Sequence, residues 1–68
     1  MKADYHIEKT YHDNKSGEPD VLFNSFDELR TFYTSRDEAP AWVNAFIDQL
    51  KTTGEAFDRF AAYKVVEV

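Results

Sequence analysis

Sixty-eight residues allow one domain, spanning residues 1–68, and the absence of cysteine excludes disulfide staples and thiolate metal clusters. Thirteen acidic against eight basic side chains give a net charge of −5, and the basic residues form no run, so direct nucleic-acid binding is not expected. No apolar run has the length of a membrane span, and MKADYHIEK lacks a signal-peptide core, so the expectation is a cytoplasmic protein without a membrane partner.

Tyr5 to His12 alternates with period two. Ala3, Tyr5, Ile7 and Tyr11 share one side, with Lys9 as the exception, and Asp4, His6, Glu8, Thr10 and His12 share the other. This predicts a strand with one face toward a core. Asp13 to Gly17 is a cluster of turn formers, and Pro19, which cannot donate to a ladder, suits the start of an edge strand. Val21-Leu22-Phe23 then pairs back as the short second arm of a hairpin.

Ser25 to Tyr33 carries a helix start signal. Ser25 and Glu28 have the spacing of a capping box, and Phe26, Leu29, Phe32 and Tyr33 fall within an arc of about 120° at helical step. The predicted helix runs from Phe26 to Ser35. Asp37 reads as the N-cap of a second helix, with Pro40 in its first turn. There Trp42, Val43, Phe46, Ile47 and Leu50 cover an arc of about 140°, and Gly54 provides the C-terminal cap. The short linker predicts an antiparallel helical hairpin.

Tyr63 to Val68 has strand composition, with Val65 and Val66 facing opposite ways. Phe57 and Phe60 fit either the approach to this strand or an extension of the preceding helix. The expected fold is therefore α+β: a small three-stranded sheet in the order β-β-α-α-β, one face covered by the helical hairpin.

Few constellations point to chemistry. Asp4, His6 and Glu8 lie on alternate positions roughly 6.5–7 Å apart, with His12 farther along, and such groups can share Zn²⁺ or Mn²⁺. Polar alternation is equally what a solvated sheet face shows, and that reading is preferred, with no cofactor expected. Ser16, Ser25 and Ser35 sit in turn or cap contexts, two glycines make no phosphate loop, and no carboxylate pair is marked by an apolar pocket, so catalysis is not expected. Trp42 lies at the edge of the Phe46–Leu50 stripe and reads as packing rather than as a recognition anchor.

The function expected first is a non-enzymatic accessory or binding module working by protein–protein contact or as a homodimer. The docking positions are Val21 and Phe23, on an edge strand, and Val66 and Val68, on a strand apolar on both sides. The alternative is an acidic inhibitor that mimics nucleic acid, of phage type, using Glu18, Asp20, Asp27, Glu28, Asp37, Glu38 and Asp48. Metal-dependent activity on the first strand ranks last.

Overall fold

The computed structural model describes residues 4–68. Two strands come first, β1 (Tyr5–Tyr11) and β2 (Val21–Phe23). Two helices follow, α1 (Phe26–Thr34) and α2 (Pro40–Thr53), and then two more strands, β3 (Glu55–Phe57) and β4 (Ala61–Glu67). All four strands form one antiparallel sheet in the order β2-β1-β4-β3. The α+β class holds, but the sheet has four strands rather than three. The extra strand, Glu55–Phe57, pairs through Glu55–Lys64, Ala56–Tyr63 and Phe57–Ala62. Unlike Val21-Leu22-Phe23, this stretch opens on Glu55 and Ala56, residue types depleted in strands, and three residues show no period, so the sequence leaves it unmarked. Of the residues assigned to the inner side of the first strand, Ala3 lies outside those described.

The centre of the sheet is the long β1–β4 pair, running from Tyr5–Glu67 to Tyr11–Ala61. Strand β4 is paired along both edges, while β2 and β3 form the outer edges. Alternation places Ile7, Phe23, Ala56, Ala61 and Tyr63 in one buried cluster with Leu29, Tyr33, Val43, Phe46, Ile47 and Leu50 from the helices. Val65 packs against this core from the same side, and its neighbour Val66 is paired with His6 on the other face.

Local signals explain the helix ends. Ser25 has extended backbone, and its hydroxyl accepts the Glu28 amide at 3.1 Å, as the capping spacing predicts. A second free amide of that first turn, from Phe26, donates to the Tyr5 hydroxyl at 3.0 Å, and the two rings lie 5.0 Å apart. Strand β1 and helix α1 are thereby joined at one point. Gly54 ends α2 in the left-handed conformation, its amide donating to the Leu50 carbonyl.

Asp37 departs from its expected role. Its φ is 61°, and helix α2 begins at Pro40 with Ala39 as an N-cap that makes no side-chain bond. The Asp37 amide donates to the Thr34 carbonyl, and the Glu38 amide donates to Tyr33. This bonding pattern is a Schellman end to α1, in which Asp37 takes the left-handed place usually held by glycine. Aspartate tolerates that region better than most residues. Pro40, at the first helical position, starts α2 without a capping side chain.

Candidate functional site

At one end of the molecule α1, α2 and the β3–β4 turn draw apart and leave a half-open groove of about 800 Å³. Its aromatic wall is built upward from Tyr63 on β4. The Phe46 ring meets Tyr63 edge-on at 5.0 Å, Trp42 stacks on Phe46 at 5.1 Å, and Tyr33 meets Trp42 edge-on at 5.1 Å. Trp42 thus packs between the helices, yet it remains 40 % exposed and lines the groove. Phe57 and Phe60, 73 % and 65 % exposed, border the cavity beside the turn. What distinguishes these rings from the singly exposed Leu22 and Val68 is that they border one cavity together.

Lys9 is the charged residue at an inward position of β1, and only 6 % of it is exposed. Its Nζ lies 4.7 Å from the ring centres of Tyr11 and Phe32 and 5.6 Å from that of Tyr63. The electron-rich ring faces replace part of the hydration a buried ammonium loses. Among the described residues the one ion pair is His6–Glu8, so no carboxylate comes within 4 Å of Lys9. Arg36, over Phe32 at 4.9 Å, and Arg59, over Phe60 at 6.0 Å, are the other cations on the groove.

The β3–β4 turn is held by Asp58. One carboxylate oxygen accepts the Phe60 and Ala61 amides, each at 2.8 Å. The other meets the Tyr33 hydroxyl at 3.2 Å and the Tyr63 hydroxyl at 3.5 Å, and the two hydroxyls are 2.6 Å apart. Each hydroxyl carries one proton, so one tyrosine donates to the other and the second donates to the carboxylate. Burial above all, with the Tyr63 hydroxyl and the Asp58 charge adding to it, raises the Tyr33 phenol far above its ordinary value of 10.0. Burial also raises Tyr63, against the opposing pull of the Tyr33 hydrogen bond and the Lys9 ammonium. Phenols held protonated in this way are fixed hydrogen-bond donors rather than proton acceptors.

A stability consequence follows. In the unfolded chain these phenols ionise near their ordinary value, whereas in the fold they keep their protons, so the unfolded state is the first to release them. Their contribution is fully present below about pH 10 and is lost as the pH rises beyond it. Urea midpoints measured between about pH 9 and pH 12 should fall, with a loss approaching ~1.4 kcal/mol per pH unit from the Tyr33 phenol. Tyr33→Phe should flatten that slope; an unchanged slope would show that Tyr33 ionises alike in both states.

The residues singled out from the sequence do not gather here. His6 and Glu8 bond to each other at 2.9 Å, each side chain roughly a quarter exposed. Asp4 is exposed, and the His12 ring bonds the Asp58 carbonyl at 2.9 Å, clipping the turn from outside. Among the described residues no three His, Asp or Glu side chains are placed to hold a metal. Of the docking positions, Phe23 is inside the core, Val21 packs against it, Val66 is half-buried and Val68 is 85 % exposed. Of the acidic set, the Asp20 carboxylate is bound by the Tyr11 amide at 2.7 Å and by Asn14 at 3.0 Å. Sequence reasoning missed Lys9, Arg59 and the Tyr33–Tyr63–Asp58 cluster. The one signal for any of them was a lysine at an apolar position of an alternating strand. No protein family, curated protein or solved structure matches the chain, and no helix among the described residues is long and apolar enough to cross a membrane.

Proposed function

We propose that the chain is a small non-enzymatic accessory module that works by protein–protein contact, with the aromatic groove as its docking surface. The observation carrying this reading is the exposure of Trp42, Phe57 and Phe60 around one cavity. Tryptophan and arginine are the residue types that dominate binding hot spots, and both occur here in the form of Trp42, Arg36 and Arg59. The outer edge at Val21–Phe23 supports docking less well, since three residues offer few ladder bonds and Phe23 faces the core.

The test is a photo-crosslinking amino acid placed at Phe60 in one version of the full chain and at Leu22, 55 % exposed on β2, in another. Both are irradiated in a lysate of the source cell. A discrete protein adduct from position 60 and none from position 22 is the expected result. Adducts of equal yield from both, or from neither, would remove the groove as a docking surface.

A further inference from the structure

The groove also carries information about what it receives. Lys9 brings a positive charge into a place that is nine-tenths closed to water, with ring faces around it and no carboxylate of the described residues within 4 Å. An ammonium that has ring faces and the Tyr63 hydroxyl beside it but no carboxylate partner keeps its charge unneutralised, and the groove is the side from which a counter-charge can arrive. Around the cavity three cations, Lys9, Arg36 and Arg59, stand against two carboxylates, Glu38 and Asp58. Both oxygens of Asp58 are already engaged by the turn amides and the two tyrosines. A chain with a net charge of −5 thus keeps a locally basic groove. Beside the cations lie the exposed rings of Trp42 and Phe60, which offer apolar contact.

We propose that the groove receives an acidic segment of a partner protein that carries an aromatic side chain: its carboxylate neutralises Lys9, flanked by Arg36 and Arg59, and its ring lies against Trp42 and Phe60. This rests on the reading that the chain acts by protein contact, and it adds the chemistry of the partner. The cavity volume is within the range of ligand-binding clefts. Its half-open form suits a chain segment that enters and leaves rather than a molecule to be enclosed. The charge pairing gives orientation and selectivity, while the rings hold the segment in place.

The experiment is an NMR titration of the full chain, following the Lys9, Phe60 and Trp42 signals. The probes are acetylated, amidated tetrapeptides: Asp-Glu-Phe-Glu, its uncharged counterpart Asn-Gln-Phe-Gln, and Asp-Glu-Gly-Glu, which keeps the charge and lacks the ring. Phenylacetate serves as the free small acid. The acidic aromatic peptide should move the groove signals and bind at least about tenfold tighter than either control peptide. Lys9→Met, with a matching length of apolar stem, should abolish the preference over the uncharged peptide. If that variant does not fold, Arg59→Gln, at an exposed position, should weaken binding of the acidic aromatic peptide by roughly three- to fivefold without weakening that of the uncharged one.

Equal binding of all three peptides, or shifts confined to another surface, overturns the proposal. So does tighter binding of phenylacetate than of the peptide, which would point to a small-molecule site. Groove signals that move with protein concentration alone would assign the groove to a second copy and overturn it likewise. A crosslinked partner at position 60 together with silent peptides would refute this chemistry and leave the docking surface standing. Loss of the crosslink would refute the docking surface itself.

Discussion

Replacing Tyr63 with alanine should remove a third or more of the stability of the fold. Tyr63 is the largest of the fully buried side chains, at 1 % exposure, and it touches both helices and the central strand pair. Truncating a buried aromatic costs about 3–5 kcal/mol. A domain of this size holds only ~3–10 kcal/mol in total, at the usual stability per residue. Tyr63→Phe keeps the ring and should cost no more than about 1–2 kcal/mol, because the Tyr33 hydroxyl can still donate to Asp58. Urea unfolding followed by the fluorescence of Trp42, the single tryptophan, separates the two variants. Similar losses for both would mean that the hydroxyl bond rather than the ring holds this region together.

Asp58→Ala should be nearly as damaging although the side chain contributes little to the core. Removing it takes the acceptor from two backbone amides and from the tyrosine pair at once. Hydrogen bonds to a charged group are the stronger kind, and the donors left behind are partly out of water. We expect a loss of about 3 kcal/mol, seen as a fall of roughly 12–24 °C in Tm. Asp58→Asn keeps an oxygen for the turn amides and should lose only about half as much. A fall of only ~2 °C in the alanine variant, well under 1 kcal/mol, would show that the turn closes without Asp58.

Legibility in the sequence follows the range of the forces involved. Ser25 and Gly54 announce helix ends through bonds made within three or four residues, and both act as the sequence suggests. The alternation of Ile7 with its neighbours was readable for the same reason, since a strand's faces are fixed by its own backbone. Asp37 misled because an aspartate between two helices serves the end of one as well as the start of the next, and the bonds that decide come from Thr34 and Tyr33. The groove was hidden more deeply. Lys9, Tyr33 and Tyr63 come from three separate elements and Asp58 from the β3–β4 turn, and only tertiary packing brings them together. Phe57 and Phe60 flank a turn with no period to mark it, so nothing local said that their rings would stay in water.

The pairing of β1 with β4 also governs how the chain must fold. The partners in that central ladder are separated by 50 positions, from Tyr11 to Ala61, up to 62, from Tyr5 to Glu67. Closing such distant contacts costs loop entropy before they return any stability, which slows folding relative to a helical bundle of equal length. Until β4 arrives, the first hairpin and the two helices lack Ala61, Tyr63 and Val65 from their shared interior. During synthesis β4 emerges after the other elements, which until then lack its apolar side chains. The core is therefore completed only when the first and last strands of the sheet pair.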